Sequence, residues 1–250
     1  MNINLNGKRA LITGSSAGLG EAIAKLLAAE GASVVVHGRD RTRMERVSEE
    51  IREAGGEAIT ALGDLATDEG AAEVARSATA DGPIDILVNN AGFYRALSWT
   101  DASPEDWSEA YNVNVISGVR MIQHLVPAMR KRGWGRVITI GGGLAVQPMN
   151  TYPQYSATLA ARHNLAVSLA RELKGTGVTS NVVAPGVIGV KTMKDFGMGP
   201  NEAETLPNDQ NRYGKPEEIA GAVAYLCSGY AEYICGATIR VDGGLIRSAF

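Results

Sequence analysis

A run of glycines between an apolar strand and a helix constrains this chain more than any other feature of its sequence. Leu11–Ile12 is apolar, and the segment 13–20 that follows carries glycines at the spacing Gly-x-x-x-Gly-x-Gly. Gly14 can take a tight turn, Gly18 lets backbone approach a ligand without an intervening Cβ, and Gly20 lets the helix lie close to the sheet. Because free N–H groups at a helix start attract negative charge, the segment predicts a cradle for phosphate groups. This spacing alone is a weak signal.

Strand and helix patterns alternate along the rest of the chain. Short apolar and β-branched runs predict strands at residues 33–37, 57–62, 84–88, 136–140, 178–184 and 237–241. Apolar residues at helical spacing predict the helices between them, including one that opens at Pro104, which Pro127 should bend or end, and one over residues 155–174. The predicted fold is therefore α/β, a Rossmann-like doubly wound parallel sheet of about seven strands with helices on both faces. We expect a single domain over residues 1–250, with a substrate lid at about 188–213, where the pattern lapses.

Charge and composition argue against several classes of partner. A net charge of −3, with no extended basic run, leaves little to bind nucleic acid or an anionic membrane surface. No apolar run approaches the ~20 residues that span a bilayer, and we expect a cytoplasmic protein. His37, His124 and His163 lie too far apart to predict a metal site. Cys227 and Cys235 are expected to be reduced thiols, with a disulfide or a metal pair as the alternative.

Further motifs occur in a fixed order after the glycine turn. They are Asp64–Leu65, Asn89–Gly92, Asn114, Tyr155–Ala157, Pro185–Gly186 and Val241–Gly244. With the glycine turn, they resemble the short-chain dehydrogenase/reductase family over the whole chain. The resemblance implies a dinucleotide cofactor, a small-molecule substrate, catalytic roles for Tyr155 and Asn114, and a homo-oligomer, most simply a tetramer. The cofactor-binding residues it implies are Gly14, Ser15, Ser16, Gly18, Leu19, Gly20, Arg39, Asp64, Leu65, Asn90, Ala91, Gly92, Tyr155, Pro185, Gly186 and Ile188.

The end of the second strand favours NADP(H) over NAD(H). An acidic residue there would hold the adenosine ribose and repel a 2′-phosphate, but this chain has Gly38 followed by Arg39. A guanidinium matches a phosphate in charge and geometry. The alternative is a solvated surface arginine, because Ala17 stands where many NADP-using relatives carry a second basic residue.

Two positions depart from the family pattern. The family places a lysine four residues after its tyrosine and a serine thirteen residues before it, whereas this chain has Leu159 and Gly142 there. Without a nearby ammonium, the phenol of Tyr155 should keep a pKa near ~10 and act as a poor base but still as a hydrogen-bond donor. In the family, the asparagine holds a water that relays protons to the lysine. Without that lysine, the alternative for Asn114 is a structural side chain bonded to backbone.

Other residues are candidates for the missing groups. Arg162 lies seven residues after Tyr155 on nearly the same helix face, and Lys191 and Lys194 lie in the expected lid. Candidates for the missing hydroxyl are Gln147, Asn150, Tyr152 and Gln154, and candidates for an aromatic pocket wall are Phe93, Tyr94 and Trp99. Each has a purely structural alternative. The run at 141–143 predicts that something larger than a small carbonyl approaches that backbone.

These residues predict an NADP(H)-dependent oxidoreductase with an altered active site. Reduction of an activated carbonyl, imine or enone suits a neutral phenol at Tyr155 better than alcohol oxidation does. Two alternatives remain open. The fold could have been repurposed for elimination, isomerisation or hydrolysis, or the chain could be a non-catalytic partner subunit.

Overall fold

Seven parallel strands form one sheet in the computed structural model, which describes residues 3–189 and 208–248. The strands lie in the order β3-β2-β1-β4-β5-β6-β7 and every neighbouring pair is parallel. Their bounds are Arg9–Ile12 (β1), Ser33–Gly38 (β2), Glu57–Leu62 (β3), Ile86–Asn89 (β4), Gly135–Ile140 (β5), Val178–Pro185 (β6) and Thr238–Val241 (β7). The prediction of a doubly wound parallel sheet is confirmed.

Helices cover both faces of the sheet. They are Gly18–Ala29 (α1), Arg41–Glu53 (α2), Asp68–Ala78 (α3), Pro104–Tyr111 (α4), Ser117–Arg132 (α5), Pro153–Glu172 (α6) and Pro216–Cys227 (α7). One core cluster joins α1, α2 and α7 to the sheet, and a second joins α3 and α5 to the opposite face. Central strands such as β6 are buried along their whole length, which explains their continuous apolar and β-branched sequences.

This topology places all the carboxyl ends of the strands along one edge. The strand order reverses between β1 and β4, because β1 connects outward to β2 while β4 connects outward to β5. Crevices at such a reversal are the usual ligand sites of open α/β sheets. The segments that follow β1, β4 and β5 contain the glycine turn, the Asn89–Gly92 motif and the glycines at 141–143.

Three local features differ from the sequence-based expectations. The helix that starts at Pro104 contains a π-helix at Asn112–Ile116, and α5 then continues through Pro127 to Arg132. Pro127 was expected to bend or end this helix, and the second of these expectations is wrong. Flanking turns that pack on the core keep the helix going despite the N–H that proline lacks. The helix expected from Tyr155 begins two residues earlier, because Pro153 is favourable in a first turn.

Two kinds of feature are absent from the described residues. No helix in that part of the chain is long and apolar enough to cross a membrane. Within the same residues, no group of His, Cys, Asp and Glu side chains could hold a metal ion. Cys227 is buried in α7 and Cys235 is exposed, and both are free thiols. Most of the expected lid, including Lys191 and Lys194, lies outside the described residues.

Candidate active site

The glycine turn packs tightly against the loop that follows β4. Gly14 and Gly18 have φ angles of 66° and 60°, a region that L side chains rarely adopt. A Cβ on Gly20 would lie 2.6 Å from Asn90 Nδ2 and would collide with the Gly14 carbonyl oxygen. Leu19 is partly buried against the core. The sequence folds this way because only glycine lets the first turn of α1 approach both loops.

His37 supports the glycine turn from the end of β2. The Gly14 N–H donates to His37 Nδ1 at 2.9 Å, so the ring proton is on Nε2, which donates to the Gly63 carbonyl at 3.2 Å. The Ser15 hydroxyl accepts from the His37 N–H at 2.9 Å and donates to the Ile12 carbonyl at 2.7 Å. Burial lowers the pKa of His37 to about 4. This role of His37 was not predicted, because the residue lies in a β-branched run whose pattern indicates only a strand.

Asn90 and Thr13 tie the turns after β1 and β4 together. Asn90 Nδ2 donates to the carbonyls of Thr13 at 2.9 Å and of Gly14 at 3.0 Å. The Thr13 hydroxyl accepts from the N–H groups of Asn90 at 3.0 Å and Ala91 at 2.9 Å. The structure thus brings Asn90 and Ala91 beside the glycine turn.

Arg39 is an exposed cation next to this turn. Its side chain is 74% exposed, and Nη1 lies 3.9 Å from Asp64 Oδ2 in a loose ion pair. The preceding residue, Gly38, is so close to Ser16 that a Cβ there would lie 2.8 Å from Ser16 Oγ. Arg39 therefore follows a residue that contacts the glycine turn, and its guanidinium is exposed to solvent.

Arg46 is a second basic residue at the turn, and the sequence argument missed it. It comes from α2, and its Nη2 donates to the Ser16 carbonyl at 3.4 Å. The same guanidinium pairs with Glu21 at 2.7 Å and with Glu50 at 2.8 Å, and these hydrogen bonds raise its pKa. Two carboxylates balance the charge of Arg46. Arg39 is therefore the cation that is more available to a ligand.

The remaining predicted cofactor residues lie at the ends of β3 and β6. Asp64 is exposed, and its Oδ1 accepts from the backbone N–H two residues along at 3.0 Å. Leu65 is buried in the core, which leaves its backbone as the part near the edge. Pro185 ends β6, Gly186 follows it, and Ile188 bridges to Gly214.

Tyr155 lies in the first turn of α6 and packs within a group of aromatic rings. Its ring centroid is 5.4 Å from that of Tyr94, which is 6.2 Å from that of Tyr152. Gln154 Nε2 donates to the Arg95 carbonyl at 2.8 Å, which fixes the loop after β4 against the start of α6. Burial raises the pKa of Tyr155, so the phenol is protonated at neutral pH.

Asn114 lies in the π-helix with its side chain fully engaged by protein. Its Oδ1 accepts from the Phe93 N–H at 2.8 Å, and its Nδ2 donates to the Phe93 carbonyl at 2.9 Å and to Thr158 Oγ1 at 3.1 Å. The Thr158 hydroxyl in turn donates to the Tyr155 carbonyl at 2.7 Å. Asn114 therefore joins the loop after β4 to the helix that carries Tyr155.

Leu159 and Gly142 are in contact. Leu159 is 1% exposed, and a Cβ on Gly142 would lie 3.0 Å from its Cδ1. That distance is shorter than an ordinary van der Waals contact, so any side chain at residue 142 requires the leucine to move. The two positions at which the sequence analysis expects a departure from the family pattern thus form one packed pair.

The other glycines of the 141–143 run are also faced by protein side chains. A Cβ on Gly141 would collide with His163 Nε2, and one on Gly143 would lie 2.7 Å from Ile246 Cδ1. The expectation that this run admits a larger ligand is therefore wrong for the space that a Cβ would occupy. His163, Ile246 and Leu159 already fill it.

Arg162 is a buried cation bonded to main-chain carbonyls. It is 8% exposed, and it donates to the Ile140 carbonyl at 2.8 Å and to the carbonyls of Asn114 and Ala91. Burial lowers its pKa to about 10, and the neighbouring phenol of Tyr155 acts in the opposite direction. Of the candidates for the missing cation, Arg162 is the one that the described residues bring to this edge.

The loop candidates are placed less closely. Gln147 Oε1 accepts from the Arg247 N–H at 3.1 Å, and Asn150 is exposed. Trp99 is 69% exposed, with its ring centroid 5.3 Å from that of Trp107, so it is less suited to an aromatic wall than Tyr94. A small cavity beside Tyr155 is lined by Phe93, Tyr94, Arg95, Leu97, Asp106, Glu109, Ala110 and Gln154.

Comparison with known proteins gives consistent matches over nearly the whole chain. A family model described as enoyl-(acyl carrier protein) reductase matches residues 14–246. The uncharacterized oxidoreductase YvaG of Bacillus subtilis is 37% identical over 268 residues and covers 100% of both chains. The 3-oxoacyl-[acyl-carrier-protein] reductase FabG of Escherichia coli is 35% identical, over 97% of this chain and 99% of its own.

Solved structures of similar fold include enzymes that act on sugars and sugar acids. L-Sorbose reductase from Gluconobacter frateurii, complexed with NADPH and L-sorbose, has a TM-score of 0.94 at 33% identity and covers 99% of this chain and 100% of its own. Gluconate 5-dehydrogenase from Burkholderia cenocepacia, in complex with NADP and tartrate, has a TM-score of 0.92 at 29% identity, covering 99% and 98%.

Proposed function

Because the chain belongs to the short-chain dehydrogenase/reductase family, we propose that it is an NADP(H)-dependent oxidoreductase with an altered active site. Its reaction is the reduction of an activated carbonyl, imine or enone-type small molecule, with Tyr155 as hydrogen-bond and proton donor. The observation that carries this proposal is that one sheet edge holds both the glycine turn beside Arg39 and the phenol of Tyr155.

The residues present fit a nicotinamide dinucleotide. The N-terminus of α1 follows the left-handed turn at Gly14 and has no side-chain cap hydrogen bond, so its first backbone N–H groups would be available to a diphosphate. Arg39 would contact the 2′-phosphate of NADP(H), and Asn90–Gly92 would border the nicotinamide half. When bound, the cofactor supplies the hydride.

Tyr155 acts as a donor rather than a base in this proposal. Burial holds its pKa above the ordinary value, so the neutral phenol donates a hydrogen bond to an acceptor atom at neutral pH. Asn114 contributes by fixing Thr158 and the loop at Phe93, since its amide is engaged by both. The packed pair Leu159 and Gly142 is what makes the site atypical. Leucine has no polar side-chain atom and glycine has no side chain, so neither can hydrogen-bond a substrate oxygen through a side chain.

Turnover assays with a matched control test the proposal. NADPH consumption is followed by absorbance against panels of ketones, imines and enones. We expect Tyr155→Phe to reduce turnover of the preferred substrate by about 10²-fold or more, the contribution of one positioned proton donor. Tyr230→Phe is the control, because Tyr230 is 58% exposed and lies between α7 and β7.

The alternatives make different predictions in the same assay. If the fold serves elimination, isomerisation or hydrolysis, substrate disappears without NADPH consumption. If the chain is a non-catalytic partner, no substrate is consumed until an intact homologue co-purifies with it. Full activity of Tyr155→Phe would remove this residue from the mechanism.

We further propose one domain over residues 1–250 with a lid at about 188–213, and assembly as a homotetramer. The proposed interface contains the helices around residues 107–129 and 155–173, where Tyr111 and Leu165 are exposed apolar side chains. Sedimentation at micromolar concentration should give a tetramer, and a monomer would contradict the proposal.

A further inference from the structure

A buried positive charge at Arg162 needs an explanation. Moving a guanidinium out of water is costly unless hydrogen bonds and opposite charge compensate for the lost hydration. Within residues 3–189 and 208–248, no carboxylate forms an ion pair with this side chain, and the titratable group that would favour its charge is the ionised form of Tyr155. A neutral amide such as glutamine could donate to main-chain carbonyls without that cost, which argues that the charge itself is used.

Helix geometry brings this charge back toward the start of α6. Residue 162 lies seven positions, about two turns, after Tyr155 and on the same face. Long side chains on a helix point toward its N-terminus and lie over the preceding turn. The guanidinium of Arg162 therefore reaches toward the turn of residues 158–159, between its own Cα and Tyr155.

Three main-chain carbonyls fix the guanidinium in place. Ala91 belongs to the loop after β4, Ile140 ends β5, and Asn114 lies in the π-helix. A Cβ on Gly92 would lie 2.9 Å from Arg162 Nη2, so this loop fits closely over the charge. Because a guanidinium is planar with its donors at fixed angles, acceptors on three elements give it one position.

We propose that Arg162 is a positioning residue that supplies positive charge to the Tyr155 hydroxyl from the third turn of α6, in place of a cation at residue 159. This inference rests on the proposed role of Tyr155. This role also accounts for Leu159. If Arg162 already supplies the positive charge, the side chain between Tyr155 and Arg162 on the helix can be apolar.

Other ionisable groups face Tyr155 and need to be considered. The loop after β4 contributes Tyr94 and Arg95, α4 contributes Asp106 and Glu109, and the segment before α6 contributes Tyr152, while His163 follows Arg162 on α6. Burial raises the pKa of Tyr94 and lowers that of His163, so both are neutral near pH 8. Asp106 stays ionised, because its bonds to Ser103 lower its pKa.

The charge can be tested without substrate or cofactor. Fluorotyrosine, which is more acidic than tyrosine, is placed at position 155, and its ionisation is followed by ¹⁹F NMR in the unliganded full chain. Arg162→Gln keeps hydrogen-bond donors and removes the charge, whereas Arg162→Lys keeps the charge and removes the planar fork. Arg171→Gln is the control, because it removes an exposed charge from the last turn of the same helix.

We expect the titration midpoint to move to higher pH in Arg162→Gln and to stay unchanged in Arg162→Lys and Arg171→Gln. An unchanged midpoint in a folded Arg162→Gln, or equal shifts in the Gln and Lys variants, would show a purely structural arginine. Arg162→Lys alone also decides the question if Arg162→Gln does not fold, because a shifted midpoint with the charge retained contradicts the proposal. An inactive enzyme with the expected titration would overturn the proposed function and leave this inference standing.

Discussion

The two halves of the candidate site are held together by different kinds of contact. The cofactor half is the glycine turn with the loops around it, and the catalytic half is the start of α6 with the glycines at 141–143. Around the glycine turn, polar side chains such as His37 and Asn90 bond to backbone and hold the loops at fixed spacing. Around α6, Leu159 packs directly on Gly142, and a buried arginine takes the carbonyls of three elements. The first half depends on backbone shape and the second on which side chains fill a small space.

This difference would explain how one half keeps the family pattern while the other departs from it, as we propose. A turn held by backbone geometry accepts few substitutions, since a single Cβ at Gly20 has nowhere to go. A packed pair can change together, because each residue of the pair can adjust to the space that the other leaves. Substitutions in each half should therefore have different consequences.

The largest expected effect is in the cofactor half, at Gly20. Gly20→Ala places a methyl group against the Gly14 carbonyl and 2.6 Å from Asn90 Nδ2, so the glycine turn must open. We expect a loss of about 3 kcal/mol in unfolding free energy, the upper part of the range for overpacking, and NADPH binding at least about 10-fold weaker. Urea denaturation and calorimetric titration measure the two.

Gly221→Ala in α7 is the matched control for that change. No heavy atom lies within 4 Å of the position of a Cβ at Gly221, and a helix interior favours alanine by up to about 1 kcal/mol. This variant should bind NADPH normally and be at least as stable as the parent. Equal losses in both variants would contradict the special role of the turn.

His37 should make the stability of the cofactor half depend on pH. Burial lowers its pKa from 6.5 to about 4, so as pH falls from 7 toward 4 the unfolded chain takes up a proton that the folded chain does not. Its contribution is intact above pH 6.5 and falls by up to about 3 kcal/mol by pH 4. Unfolding free energies at several pH values should decline less in His37→Gln than in the parent, whereas the exposed His124→Gln should follow the parent.

Arg39 should determine the choice between the two nicotinamide dinucleotides. A charge-assisted contact to a phosphate contributes about 1.5–3 kcal/mol, so Arg39→Ala should reduce the preference for NADPH over NADH by about 10-fold or more. Calorimetric titrations of both cofactors measure that ratio. Arg43→Ala, which removes another exposed arginine of the same region, should leave it unchanged. Equal affinity of the parent for both cofactors would refute the assignment.

The smallest effect is expected for a double substitution in the catalytic half. Leu159→Lys combined with Gly142→Ser restores the family's residue types, yet we expect no gain in turnover of simple ketones. The lysine would be buried three residues from the cation at Arg162, and like charges at that helical spacing repel each other. A strong gain in a ketone-reduction assay would show that the ordinary catalytic site survives around two lost groups.

Much of the fold could be predicted because its signals are local. Each strand ends at turn residues, and each helix repeats its apolar positions within about a dozen residues, so alternation alone gave the parallel sheet. The glycine turn and the position of Arg39 could also be predicted, because each is read from a short stretch of sequence. The π-helix was not, since Val115 and Val119 continue an ordinary helical spacing across it.

The catalytic half could be predicted only in part, because its contacts join distant segments. Spacing placed Arg162 on the face of Tyr155, but nothing local could identify carbonyl acceptors on β5, on the loop after β4 and in the π-helix. The contact between Gly142 and Leu159 also required coordinates. It corrected our interpretation of the glycine run from space for a ligand to space for a neighbouring side chain.

The π-helix at Asn112–Ile116 also sets the rotational phase between two helices. One residue corresponds to about 100° of helical rotation, so the wider turn offsets α4 from the direction it would have in an unbroken helix. Removing one residue from this segment would turn Ala110, the buried residue of α4, away from the core while Met121 of α5 stayed in place. The segment therefore works as an angular spacer, and the length of this stretch, more than its composition, governs how α4 meets the rest of the molecule.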